Sequence, residues 1–154
     1  MSILSLVQCA SFTKADPAEF DKLVAINEVD LTKDKIFDRA REWLARNYSS
    51  SKEVIELADK ENGKIIGKVM KSQMYSGMIQ TYIHYTILLE IKEKKFRLKF
   101  ETIYMYIPNQ AGGVKQFKDN RLESELEAIQ EEFKVTNKSL VDFCSKESIK
   151  SSDF

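Results

Sequence analysis

Between Met78 and Lys92 the chain alternates apolar and polar residues for almost its whole length, MIQTYIHYTILLEIK, with Ile79, Ile83, Tyr85, Ile87, Leu89 and Ile91 on one side. Period-two alternation marks a half-buried β-strand. The next run, KFRLKFETIYMYIP, answers with Phe96, Leu98, Phe100, Tyr104 and Tyr106. A turn at Glu93-Lys94 sets Ile91 against Phe96, Leu89 against Leu98, Ile87 against Phe100 and Ile83 against Tyr104, so turn length, register and apolar face agree.

Upstream, FDKLVAINEV from Phe20 to Val29 reads as a first strand, with Val24 and Ile26 on one face. A helix follows in DLTKDKIFDRAREWLARNY, where Thr32 can cap the first turn and Asp34 suits the positive end of the helix dipole. Ile36, Ala40, Trp43 and Leu44 form one apolar stripe, flanked by Phe37 and Tyr48. Trp43 lies in that stripe and away from Arg39, Arg41, Glu42 and Arg46, which assigns it to the core rather than to a ligand. Two more strands, Lys52 to Lys60 and Lys64 to Ser72, flank Glu61-Asn62-Gly63. A three-residue loop pairs Ile55 with Val69, Leu57 with Gly67 and Asp59 with Ile65, keeping the faces separate. A type I turn with a G1 bulge and Gly63 at positive φ is therefore expected.

The segment NQAGGVKQFKDN reads as a loop, after which Asn120 and Glu123 form a capping box. The helix they open carries Leu122, Leu126, Ile129 and Phe133, continued in phase by Leu140 and Phe143 or Cys144. Its middle, KVTNKS, is a poor helix former where a kink or break is expected. The order β-α-β-β-β-β-α predicts an α+β fold, an antiparallel sheet with both amphipathic helices packed on one face and the other face open. One domain, residues 20–147, sits between an N-terminal tail, 1–19, and a frayed C-terminal tail, 148–154.

Composition changes this picture little. The 154 residues are 43% apolar and 31% charged, with 24 basic and 24 acidic side chains. A net charge of zero removes any global attraction to nucleic acid or acidic membranes. Cys9 and Cys144 have neither metal-knuckle nor redox spacing. The start, MSILSLVQCAS, lacks a basic n-region and a full apolar h-region, so two expectations stand side by side. In one, Leu6-Val7-Gln8-Cys9 is a degenerate lipoprotein processing site and Cys9 is acylated. In the other, it is a loose tail or a short edge strand with an incidental thiol.

The run from Leu31 to Val69, with Ala40, Trp43 and Leu44 in the helix, Asp59 and Lys60 before the turn and Gly63-Lys64-Ile65-Ile66-Gly67 after it, is followed by the long hairpin. Together they resemble a bacterial domain-of-unknown-function family with a TBP-like fold, over roughly Phe20 to Ile107. That resemblance implies small exported proteins or lipoproteins of the cell envelope, and it transfers no active site.

The residues themselves point away from catalysis. His84 is the one histidine, and on the expected register it stands on the open face opposite Ile103, with neither cysteine on a neighbouring strand. One His and two distant Cys do not make a zinc set, and Gly112-Gly113 lacks the rest of a phosphate loop. No enzyme activity, cofactor or metal is expected. The same register pairs Tyr82 with Met105 and Gln80 with Ile107, so Tyr82, His84, Ile103, Met105 and Ile107 form the candidate partner face. It suits a protein partner or a second copy, or a covering segment of the chain's own tails. A nucleic-acid binder using the sheet is the alternative, weakened by Glu90 and Glu101 beside Lys68, Arg97 and Lys99. The expected location is the cell envelope, periplasmic or lipid-anchored at Cys9, with membrane contact only through that anchor; otherwise it is the cytoplasm.

Overall fold

Nine elements cover the residues described in the computed structural model, which are 15–48, 54–75, 79–108, 114–117 and 123–146. In chain order they are α1 (Pro17–Phe20), β1 (Val24–Glu28), α2 (Lys33–Asn47), β2 (Ile55–Asp59), β3 (Lys64–Tyr75), β4 (Ile79–Lys92), β5 (Lys95–Pro108), β6 (Val114–Phe117) and α3 (Glu123–Ser145). The fold is α+β, as expected, with two additions. Helix α1 is a single turn capped by Asp16 and started by Pro17, and it carries Phe20 into the core beside Ala15. Packed structure thus begins within the stretch read as a tail. Strand β6 forms inside the segment read as a loop and pairs with the end of β5.

All strands lie in one antiparallel sheet ordered β1-β5-β4-β3-β2, with β6 also on β5. Strand β1 covers residues 95–99 of β5, and β6 covers 105–108. The β4–β5 hairpin turns at Glu93-Lys94 and pairs as the alternation dictates, from Lys92↔Lys95 through Ile87↔Phe100 to Thr86↔Glu101. Then the register slips by one. Tyr85 stands against both Thr102 and Ile103, Thr102 adopts φ 49°, and the ladder resumes as His84↔Tyr104, Ile83↔Met105 and Tyr82↔Tyr106. One extra residue reverses the faces of everything beyond it, so the expected pairs Ile83/Tyr104, His84/Ile103, Tyr82/Met105 and Gln80/Ile107 do not form.

The β2–β3 hairpin departs in the same manner. Its loop has four residues, Lys60 to Gly63, with Asp59↔Lys64 and Leu57↔Ile66 in place of the three-residue register. The Asp59 carboxylate accepts bonds from the Asn62 backbone N–H at 3.0 Å and its side-chain amide at 2.7 Å, local turn chemistry that favours the longer loop. A second slip between Leu57 and Ile55 restores Ile55 to the helix side. Gly63 has the expected positive φ, 65°, and has a second reason to be glycine. A Cβ there would meet the Ile91 carbonyl oxygen at 2.3 Å, because Gly63 O accepts the Ile91 N–H in the first rung of the β3–β4 ladder.

Both long helices cover one sheet face. Ile36, Phe37, Ala40, Trp43 and Leu44 of α2 and Ile129, Phe133, Leu140 and Cys144 of α3 bury against Ile65, Val69, Tyr85, Ile87, Leu89, Leu98 and Phe100. Thr32 caps α2, its hydroxyl accepting from the Lys35 N–H. Helix α3 runs unbroken through KVTNKS, where a kink was expected. The polar residues that weaken this stretch as an isolated helix each find a tertiary partner. Thr136 is buried and hydrogen-bonded with Tyr48. Asn137 and Asn27 of β1 exchange side-chain amide bonds, the shorter at 2.7 Å. Ser139 Oγ accepts the Trp43 indole N–H at 3.0 Å. Trp43, 2% exposed, is thus a core anchor that ties α2 to α3 as well as to the sheet. The expected cap at Asn120 and the Cys9 site lie outside the described residues.

Candidate functional site

Strand register sorts the open face into rows that cross the sheet. One row runs Val24, Lys99, Leu88, Ile66 and Leu57, one residue from each of β1, β5, β4, β3 and β2. Four of its five members are apolar. The row towards the β4–β5 turn is Ile26, Arg97, Glu90, Lys64 and Asp59; on the other side come Glu101, Thr86 and Lys68, then Tyr104, His84 and Met70, then Tyr82 and Ser72.

Exposed large apolar side chains gather here. Ile26 is 70% exposed, Met70 61%, Val24 43% and Leu57 41%, and all four belong to these rows. The charges between them neutralise one another locally. Arg97 Nε donates to Glu90 Oε2 at 2.6 Å, Lys99 lies 2.8 Å from Glu101, and Lys68 lies 2.5 Å from Glu56. The Glu56 carboxylate holds the Lys68 ammonium above its ordinary value. Such exposed pairs contribute little to stability. Their consequence is a face without net sign.

The expected partner residues separate on this sheet. Tyr82 and His84 stand on the open face, half-buried, and the His84 ring stacks on Tyr104 with centroids 4.6 Å apart and planes 8° from parallel. Partial burial lowers the His84 pKa. Ile103 is a correction. It is 7% exposed within the core, on the helix side, because the bulge at Thr102 turns it inward. In the backbone ladder Met105 pairs with Ile83 and Ile107 with Lys115, and the side chains of these two residues lie outside the described part of the structure. Tyr104, read as a core position, stands in the row of His84 and Met70. Sequence reasoning missed Val24, Ile26 and Leu57 as open-face residues; knowing that β1 lies on β5 would have shown Val24 and Ile26 to be opposite Lys99 and Arg97.

The helix side holds a second polar group of residues. Tyr85 donates its hydroxyl to Glu132 Oε1 at 3.0 Å, Lys71 lies 2.5 Å from Glu132 Oε2, and the Tyr48 hydroxyl shares hydrogen bonds with Tyr85 and Thr136. Burial raises both tyrosine pKa values. A cavity of about 300 Å³ opens between α2, α3 and β3 beside this group. Among the described residues no set of three or more His, Cys, Asp and Glu side chains is placed to hold a metal, and no helix is long and apolar enough to cross a membrane.

Comparison with known proteins gives the fold a family and leaves the activity unnamed. No curated protein matches. Crystal structures similar in fold include the following two. One is a TBP-like protein from Parabacteroides distasonis, at TM-score 0.62 and 16% identity over 79% of this chain and 90% of that one. The other is a DUF4468 family protein from Bacteroides ovatus, at TM-score 0.60 and 13% identity over 82% of this chain and 87% of that one. The residues singled out between Leu31 and Val69 have structural work in this fold: Trp43 anchors, Asp59 holds the turn, Lys60 pairs with Asp38 at 2.7 Å, and Gly63 admits the Ile91 carbonyl. Residues 23–106, more than half of the chain, match the model of the domain of unknown function DUF4468 with TBP-like fold, and the chain belongs to that family.

Proposed function

We propose that this domain is a noncatalytic binding module whose open sheet face docks a protein partner. The observation that carries this is the collection of Val24, Ile26, Leu57 and Met70, each exposed, on one face of the sheet around a row that is apolar at four of five positions. Apolar surface gathered in one place is the mark of a contact site rather than of ordinary scatter. Nucleic acid is the weaker reading, because a phosphate backbone needs unneutralised cations and here Arg97, Lys99 and Lys68 each hold an acid. A place in the cell envelope, tethered through Cys9, belongs to the same proposal and rests on the Leu6–Cys9 sequence.

A photo-crosslinking amino acid placed in turn at Ile26, Leu57 and Met70 tests it in the producing cell. Discrete protein adducts are expected from these three positions and none from Arg41 or Glu127 on the helices. Adducts from the helix positions alone, or from no position, overturn the proposal. Salt-sensitive retention of the purified chain on DNA would transfer the face to nucleic acid.

A further inference from the structure

Charge on the open face alternates in sign along the row nearest the β4–β5 turn. Across β5, β4, β3 and β2 that row reads Arg97, Glu90, Lys64 and Asp59, positive, negative, positive, negative. Within the chain Glu90 is held by Arg97 and Asp59 by Asn62. The Lys64 ammonium therefore stands between two engaged acids and has no ion pair among the described residues. The next row on the same four strands, Lys99, Leu88, Ile66 and Leu57, is apolar at its centre, where Leu88 and Ile66 are half-buried. A face of one sign, or one apolar throughout, would leave the chemistry of its occupant open. An alternating row does not, because it matches a copy of itself turned end for end, and a two-fold interface needs such self-complementarity.

The match depends on where the two-fold axis falls. Laid along the strands between β4 and β3, it sets Glu90 of one copy against Lys64 of the other and Arg97 against Asp59. Each contact occurs twice, so all four charges of the row meet the opposite sign. The same operation sets Leu88 on Ile66, lays the Lys99 stem over Leu57 and brings Met70 opposite His84. Glu101 and Glu56 approach one another with Lys99 and Lys68 already bound to them. An axis on β4 itself would press Glu90 on Glu90 and Arg97 on Lys64, and one on β3 would press Lys64 on Lys64 and Glu90 on Asp59. Between β5 and β4 only the Arg97 contact with Glu90 joins opposite charges. Twisted sheets packed face to face cross at about 30°, so the contacts nearest the axis, Glu90 with Lys64 and Leu88 with Ile66, are the best kept. We propose that the open face docks a second copy of this chain about the axis between β4 and β3. The inference rests on the reading of this face as a protein-docking surface and names its occupant.

Sedimentation of the full chain from about 1 μM to about 1 mM tests it. The wild-type chain is expected to dimerise. Lys64→Glu alone sets acid on acid and Glu90→Lys alone sets cation on cation, and each should weaken the dimer at least about tenfold. An equimolar mixture of the two variants restores both opposite contacts and should regain the wild-type dimer, a rescue that a misfolded chain cannot give. Leu88→Glu mixed with Ile66→Lys repeats the test one row along should either charge variant melt early. A monomer at every concentration, variants that dimerise as the wild type does, a mixture no better than its components, or weakening by Glu90→Lys alone each overturn the proposal. The photo-crosslinker at Leu57 or Met70 separates this failure from that of the binding reading. Adducts at twice the mass of the chain support the second copy. Adducts to other proteins by a monomeric chain overturn it and leave the binding reading in place, and no adduct at either position removes both.

Discussion

Thr102 is a β-branched residue at φ 49°, a left-handed conformation that costs an L-residue about 1–2 kcal/mol and that glycine adopts freely. The strain persists because the bulge lets Ile103 enter the core while Tyr104 stacks on His84. Thr102→Gly should raise stability by about 0.5–1 kcal/mol in urea unfolding with no change of fold. A loss of stability on that substitution would show that Thr102 is held by contacts worth more than its strain. Trp43 is the opposite kind of residue, unstrained and fully used. Trp43→Ala should cost about 3–5 kcal/mol, and Ser139→Ala, which leaves a buried indole N–H without its acceptor, about 1–2 kcal/mol. Tyr85 and Tyr48 add a pH limit. Burial raises both above the ordinary tyrosine value of 10, so the unfolded chain releases these protons first. Stability should hold below pH 10 and fall as pH rises beyond it, and Tyr85→Phe should flatten that fall in thermal melts taken across the alkaline range.

At the level of elements, legibility followed phase information. The hairpin from Lys92/Lys95 to Thr86/Glu101 was readable because strictly alternating polar residues such as Arg97, Lys99 and Glu90 mark one face. Beyond Thr102 the sequence Ile103-Tyr104-Met105-Tyr106-Ile107 is apolar or aromatic at every position, so a period-two pattern carries no phase and a one-residue slip leaves no trace. That is why Ile103 was assigned to the wrong face and Tyr104 to the core. The four-residue loop was missed for a related reason: Leu57 is apolar and was given to the core, while the structure exposes it opposite Ile66. The continuity of α3 was hidden because Thr136, Asn137 and Ser139 are stabilised by partners far away in sequence, a contribution that helix propensity does not contain.

For the whole molecule, the sidedness read from the two helix stripes holds, with α2 and α3 on one face and the apolar rows on the other. What could not be read was which strand neighbours which, because register within a hairpin is local whereas the place of β1 beside β5 is not. That placement has a consequence for how the protein is made. Strand β1 leaves the ribosome early, yet its sheet partner is residues 95–99 and its amide clasp is Asn137, both translated much later. The nascent chain must carry β1 and the apolar stripe of α2 without their native cover until the β4–β5 hairpin and then α3 emerge. Closure of the domain is therefore a late, long-range event, and the waiting amino-terminal half is the part of this molecule that most needs shielding during synthesis.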